Sequence, residues 1–268
     1  MTRYGIIGKP LEHSYSARYF TEKFLREGID AEYRLYEIDD LSEIDGLMAA
    51  LHGFNVTYPY KQAIMPHLRA IDTVAEAIGA VNVVCQGKGY NTDWIGFRQS
   101  ILPHLTPDDQ RALVLGTGGV SKAVQYALRE MGIDYTLVSR REAMGDGLLA
   151  MGDGQLAMGD GQLAMGYGQL AMGDGQLAIG YGQLTKEVME AHTVVVNCTP
   201  LGMYPDTASL PDIPYQHLTA KHLLYDCVYN PALTAFLQKG QEQGSRTVNG
   251  LDMLYAQANA AWEIWSGV

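Results

Sequence analysis

The sequence predicts an α/β protein of two units, and three observations carry that prediction. Strand-like apolar runs alternate with helix-like amphipathic ones along most of the 268 residues, the pattern that builds layered helix-and-sheet architecture. A glycine loop, Gly116-Thr117-Gly118-Gly119, stands directly between a compact apolar run and a helical one. The stretch from Pro103 to Asp109 is rich in turn formers and divides the chain. One unit is expected over 1–102 plus 250–268, discontinuous because the last helix returns to it, and the other over 103–249. At this length a substantial core can be buried.

Taken in order, Arg3 to Ile7 reads as a short strand closed by Gly8. Ser14 to Glu27 is helical, with Tyr19, Phe20, Phe24 and Leu25 on one face, Ser14 at the N-cap and Gly28 at the stop. Ala31 to Ile38 alternates as a strand, Leu41 to Leu51 reads as a helix, and Phe54 to Thr57 as a strand. Pro59 fits the first turn of the helix that follows, where its missing N–H costs nothing. Val81 to Cys85 and Lys88 to Asn91 form two strands around Gly87. In the second unit Arg111 to Leu115, Tyr135 to Val138, Val194 to Asn197 and Leu223 to Tyr225 are apolar runs of the buried parallel type. Val120 to Met131 and Leu251 to Trp265 are helical.

From Met144 to Thr185 runs a tandem seven-residue repeat: MGDGLLA, MGDGQLA twice, MGYGQLA, MGDGQLA and IGYGQLT. Two glycines in each copy, at about 1 kcal/mol apiece relative to alanine, oppose a helix and therefore a coiled coil. The expectation is an expanded surface loop inserted in the second unit. A hairpin meander is the alternative, because Asp-Gly suits tight turns. Calcium binding is the weaker reading, since the known acidic glycine-rich calcium repeat is a nonapeptide.

Composition excludes several classes. The 47% hydrophobic and 18% charged content is that of a globular protein. A net charge of −11 with no Lys/Arg run argues against nucleic-acid binding, which needs a clustered cationic face. No apolar run approaches the roughly 18 residues of a membrane helix, and the apolar part of the N-terminus is too short for a signal-peptide core. Cys85, Cys198 and Cys227 are odd in number and set in apolar contexts, as reduced core thiols would be. The seven histidines show no zinc-type spacing. These features predict a cytoplasmic protein without a structural metal, and they leave a monomer and a homodimer both open.

The loop within Leu113 to Ser121 has the context of a dinucleotide site, because its amides and the following helix N-terminus can approach a pyrophosphate. Ser121 stands where the usual G-x-G-x-x-G has its third glycine. The next strand runs into Ser139-Arg140-Arg141 rather than into an acidic residue. Guanidinium groups there suit a ribose 2′-phosphate, so NADP is preferred over NAD.

The segment Asn55-Val56-Thr57-Tyr58-Pro59-Tyr60-Lys61 presents one lysine at a helix start, and Asn91-Thr92-Asp93 supplies a carboxylate to partner it. A cation in a first helical turn opposes the helix dipole, which such a partner offsets. A lysine and an aspartate suffice for proton transfer to a carbinol oxygen. Each neighbour also has an ordinary reading: Ser14 and Asp93 as helix caps, Thr57 as strand filler.

Together HSYS (13–16), NVTYPYK (55–61), GAVN (79–82), NTD (91–93), GTGGVSKAV (116–124), NCTPLGM (197–203), YDCVYNP (225–231) and GLDMLYAQA (250–258) resemble the shikimate dehydrogenase family. The resemblance spans nearly the whole chain. It implies an N-terminal α/β substrate domain, a Rossmann-type doubly wound dinucleotide-binding domain, and NADPH-linked reduction of 3-dehydroshikimate to shikimate on the route to chorismate and the aromatic amino acids. It further implies that Ser14, Ser16, Thr57, Asn82, Asp93, Tyr229 and Gln257 bind shikimate, and that Lys61 is the acid/base residue paired with Asp93. Gly116, Thr117, Gly118, Gly119, Val120, Ser139, Arg140 and Arg141 would hold NADP, with Cys227 and Gly250 lining its nicotinamide side. The chain departs from the family in its second arginine, where Asn-Arg-Thr or a similar triplet is usual, and in the repeat, which replaces a short helix-bearing connection. An NAD-using quinate/shikimate dehydrogenase would be favoured by an acidic residue at position 139 or 140, and none is present. A noncatalytic binding protein on the same fold would have no reason to keep both Lys61 and Asp93.

Overall fold

The computed structural model describes residues 1–12, 14–140, 149–150, 156–157, 170–172 and 176–267. Two compact units divide the chain, one of Met1–Gln99 with Met253–Val268 and the other of Ser100–Asp252.

The first unit contains β1 (Thr2–Gly8), α1 (Tyr15–Glu27), β2 (Ala31–Glu37), α2 (Ile44–Ala50), β3 (Gly53–Val56), α3 (Tyr60–Ala63), β4 (Ala70–Ile71), α4 (Thr73–Ile78), β5 (Val83–Cys85), β6 (Lys88–Tyr90) and most of α5 (Asp93–Ile101). Its sheet runs β2-β1-β3-β5-β6-β4. Parallel pairing joins β1 to β2 and β3, and antiparallel pairing joins β5 to β3 and β6. β5 and β6 therefore form a hairpin, with Gln86 and Gly87 both at positive φ in its turn. Val83, Val84, Phe54 and Ile7 are buried along the sheet, and each apolar side chain so removed from water stabilises the fold by about 1.5–3 kcal/mol.

Two expectations for this unit need correction. The helix α1 buries Ser16, Phe20 and Phe24, an i, i+4, i+8 stripe. Leu25 lies off that stripe and is 79% exposed. Pro59 occupies the N-cap of α3 rather than its first turn, with Tyr60 as the first helical residue.

The second unit contains β7 (Arg111–Leu115), α6 (Gly119–Glu130), β8 (Asp134–Ser139), the short strands β9 (Leu149–Ala150), β10 (Leu156–Ala157) and β11 (Leu170–Met172), then β12 (Gln176–Gly180), α7 (Lys186–Ala191), β13 (Val194–Asn197), β14 (Leu223–Asp226), α8 (Ala235–Glu242) and β15 (Arg246–Val248). The last helix, α9 (Leu251–Ser266), begins at the boundary and continues in the first unit. There its Trp265 indole donates to the Val84 carbonyl at 3.0 Å and packs against Tyr4 and Phe20.

The second sheet runs β11-β12-β8-β7-β13-β14-β15, with β9 and β10 in a separate two-stranded sheet. From β12 to β15 every pairing is parallel. Counted along the chain, those six strands lie in the order third, second, first, fourth, fifth, sixth, which is the doubly wound dinucleotide-binding arrangement. The order reverses between β7 and β13, and ligands of such sheets bind beyond the strand ends at that point.

Part of the repeat is sheet rather than surface loop, and the antiparallel pairing of β11 with β12 agrees with the hairpin alternative. Ala178, Ile179 and Gly180 pair in parallel register with Leu137, Val138 and Ser139. Ala178, Ile179 and Leu184 are buried, the last two in the core with Leu113, Val138 and Val195. The edge of β8 offers a ladder of backbone hydrogen-bonding groups, and this stretch of the repeat satisfies it. Most of Met144 to Gly175, like Arg141, lies outside the described residues. Among the described residues no helix is long and apolar enough to cross a membrane, and no group of three or more His, Cys, Asp or Glu is placed to hold a metal.

Candidate active site

In the first unit the turn after β3 carries Lys61 on α3, and the end of β6 carries Asp93 at the start of α5. The Lys61 ammonium donates to Asp93 Oδ2 at 2.6 Å, with the two side chains only 13% and 7% exposed. Asn82 Nδ2 donates to the other Asp93 oxygen at 2.9 Å and lies 3.4 Å from Gln257 Oε1. The Lys61 carbonyl accepts the Val81 amide at 2.7 Å, tying α3 to the chain beside Asn82. A buried carboxylate is thus satisfied on both oxygens, as burial requires.

The support for Asp93 comes from residues next to it. Asn91 Oδ1 accepts the Asp93 amide at 3.0 Å, and Asn91 Nδ2 donates to the Ala80 carbonyl at 2.9 Å. Thr92 is fully buried, and its amide donates to Asn82 Oδ1 at 2.7 Å. Thr92, whose carbonyl accepts the Gly96 amide at 3.0 Å, holds the cap position, and Asn91 just outside it takes up the first amide of α5.

A second chain of contacts reaches Ser16. Tyr33 donates its hydroxyl proton to Asn55 Oδ1 at 2.7 Å, and Asn55 Nδ2 lies 3.4 Å from the Asn82 carbonyl. Burial holds the Tyr33 hydroxyl well above its ordinary pKa, and Ser16 hydrogen-bonds to it. Ser14 sits at the N-cap of α1 but its hydroxyl makes no capping bond. Thr57 is half-buried, with its amide donating to the Ile7 carbonyl at 2.9 Å. The structure therefore links Lys61, Asn82, Asp93, Gln257 and Ser16 by hydrogen bonds, while Tyr229 lies in the second unit after β14. Tyr33, Asn91 and Thr92 were not predicted as participants. An aromatic on an alternating strand reads as core, whereas the Asn-Thr pair directly before Asp93 was the available signal.

In the second unit the glycine loop follows β7 at the point where strand order reverses. Gly116 has φ +103°, and a Cβ there would lie 3.0 Å from Thr199 Cγ2. Only glycine meets both conditions without strain. Ser121 is buried and donates to the Gly116 carbonyl at 2.6 Å, so the residue in place of a third glycine closes the loop itself. Gly118 is the N-cap of the twelve-residue α6, and no side chain caps that end. Its first-turn amides and positive dipole end fit a pyrophosphate. Val120 lies in that first turn, and Thr117 between Gly116 and the cap. Ser139 ends β8 and Arg140 is exposed immediately after it. The hydroxyl of Tyr181 is pushed up to about 12 by burial, against an opposing pull from the Arg140 charge. The final repeat copy thus stands within electrostatic reach of the arginine expected at the 2′-phosphate.

Beyond β13 and β14, Asn197 Nδ2 donates to Asp226 Oδ1 at 3.0 Å and Thr234 Oγ1 donates to Asp226 Oδ2 at 2.5 Å. Burial pushes the Asp226 carboxyl up to about 6, while bonds from Thr234, Val228 and Asn197 act to lower it. Gly250 is packed so closely that a Cβ would lie 2.3 Å from the Cys227 carbonyl oxygen.

A doubly wound parallel sheet with a glycine loop at its switch point, joined to a unit holding a buried lysine–carboxylate pair, defines a nucleotide-dependent α/β enzyme class. Residues 6–84 match the model of the shikimate dehydrogenase substrate binding domain. The shikimate dehydrogenase (NADP(+)) of Shouchella clausii is 36% identical over 279 residues, covering 100% of this chain and 94% of that one. A crystal structure of shikimate dehydrogenase 1 from Peptoclostridium difficile has a TM-score of 0.79 at 31% identity, over 100% of this chain and 92% of that one. The structure of shikimate 5-dehydrogenase from Thermus thermophilus in complex with NADP(H) and shikimate has a TM-score of 0.78 at 26% identity, over 100% of this chain and 94% of that one. The chain belongs to the shikimate dehydrogenase family.

Proposed function

We propose that the protein catalyses the reversible NADPH-dependent reduction of 3-dehydroshikimate to shikimate. The observation that carries this reading is the 2.6 Å contact of Lys61 with Asp93, embedded in the Asn82–Gln257 network. When bound, NADPH supplies the hydride. As hydride reaches the ketone, negative charge develops on its oxygen, and the Lys61 ammonium stabilises that charge and then delivers the proton. Asp93 holds the ammonium in place, and Asn82 fixes the carboxylate's second oxygen. In the oxidative direction Lys61 takes the hydroxyl proton.

Substrate hydroxyls and carboxylate are assigned to Ser14, Ser16, Thr57, Asn82, Asp93, Tyr229 and Gln257. The cofactor is assigned to Gly116 through Val120, with Ser139, Arg140 and Arg141 at the 2′-phosphate and Cys227 and Gly250 at the nicotinamide. The first unit is then the substrate domain and the second the NADP domain, into which the tandem repeat is inserted, and the protein acts in the cytoplasm. The test is NADPH absorbance on mixing the protein with shikimate and NADP, repeated with quinate and with NAD. Formation of NADPH from shikimate supports the reading; silence in all four combinations removes it.

A further inference from the structure

Two of the three cysteines meet at the C-terminal edge of the second sheet. Asn197 and Asp226 are register partners on neighbouring parallel strands, and Cys198 and Cys227 each stand one residue beyond. Their sulfurs are 3.9 Å apart, both residues are half-buried, and neither is in a disulfide. The side-chain contact of Asn197 with Asp226 uses one face of the sheet, and alternation sends the two thiols to the other. The surroundings are those assigned to the dinucleotide. A Cβ added at Gly116, which opens the glycine loop, would lie 3.4 Å from the Cys198 carbonyl carbon, and one at Gly250 would lie 2.3 Å from the Cys227 carbonyl oxygen, so both glycines pack against this pair.

We propose that Cys198 and Cys227 form a redox-sensitive dithiol, which hydroperoxides convert to a disulfide that weakens dinucleotide binding. Adjacent strands lie about 4.8 Å apart, within the roughly 4.4–6.8 Å that a disulfide spans between Cα atoms. The Cys227 amide donates to the Asn197 carbonyl at 3.0 Å, so that spacing is already held. The sulfurs must close by about 2 Å to reach bonding distance near 2.05 Å.

The chemistry balances with a hydroperoxide as oxidant. One thiolate attacks the O–O bond, becomes a sulfenic acid and releases an alcohol or water. The second thiol attacks the sulfenic sulfur, the S–O bond breaks, and water leaves as the S–S bond forms. Two thiols lose two electrons and two protons, which end in the alcohol and water. Cys85 does not share this chemistry. It lies in β5 of the first unit, and burial pushes its thiol up, away from the reactive thiolate.

The effect on binding rests on the reading of Gly116 to Val120 as the nucleotide loop, and the test separates the two claims. Full-length protein is equilibrated with tert-butyl hydroperoxide, blocked with iodoacetamide and mapped by mass spectrometry, and NADP affinity is measured on reduced and oxidised samples. A peptide linked through Cys198 and Cys227 is expected, with about fivefold or greater weakening of NADP binding, the ordinary size of a coupling between sites. Dithiothreitol restores the affinity, and Cys198→Ser is resistant while Cys85→Ser remains sensitive. Absence of the linked peptide, or a linked form that binds NADP as tightly as the reduced protein, overturns the proposal. If reduced protein fails to bind NADP, the nucleotide reading falls and the claimed effect on binding falls with it, whereas the linked peptide still establishes the dithiol.

Discussion

Asn91 accepts the amide of Asp93, the first residue of α5, at 3.0 Å, and the Asp93 carboxylate bonds Lys61 and Asn82. Losing that bond would leave the first amide of α5 without its side-chain acceptor and loosen the backbone that aims the carboxylate. Asn91→Ala is expected to cost about 1 kcal/mol of stability, the usual net worth of a hydrogen bond, and to lower kcat more than it raises the shikimate Michaelis constant. Urea unfolding together with steady-state kinetics checks both.

Removing the proposed proton donor itself has a larger effect. Lys61→Ala should reduce turnover by about 10² to 10⁴, the range of general acid–base assistance. NADP affinity, measured by fluorescence titration, should change little because the glycine loop belongs to the other unit. Near-normal turnover would remove Lys61 from the mechanism.

At the cofactor, Arg140→Ala should raise the Michaelis constant for NADP by about ten- to a hundredfold, as loss of a charge-assisted hydrogen bond worth about 1.5–3 kcal/mol requires. The constant for NAD should hardly move. Equal losses for both dinucleotides would place the 2′-phosphate elsewhere.

Asp226 gives a pH signature. Its folded pKa, raised to about 6 by burial, exceeds the ordinary 3.8. Its contribution to stability is therefore full below about pH 4 and is lost as pH rises through about 6. The wild-type unfolding free energy minus that of Asp226→Asn should fall by about 3 kcal/mol between pH 4 and pH 7. A flat difference across that window would contradict the raised pKa.

The repeat supplies a stability test. Ile179 is 8% exposed within the second core, so Ile179→Ala should cost about 2–5 kcal/mol in urea unfolding. A mobile surface insertion would show almost no change.

Much of this was legible in the sequence. The buried parallel strands, the glycine loop and the Lys61–Asp93 pair each announce themselves by apolar runs or by a motif at fixed spacing. The strands at Ala70–Ile71 and Gln176–Gly180 do not. The first is too short for any periodicity, and the second is hidden in a glycine-rich repeat whose copies look alike, its place fixed by pairing with β8 on one side and β11 on the other. The role of Tyr33 was hidden for a related reason, since its hydroxyl contact with Asn55 depends on two strands that pair with β1 on opposite sides.

The join between the repeat and β8 carries a consequence for how the chain finds its alignment. Near-identical copies, four of the six containing Gln-Leu-Ala, could compete for the same edge by slipping seven residues at a time. The last copy differs at its ends, with Ile179 for methionine and Thr185 for alanine. Ile179 fills the core, and Thr185 accepts the Val188 amide to start the next helix. Those two changes break the degeneracy of the array, so that copies can be gained or lost upstream while the docked one keeps its place.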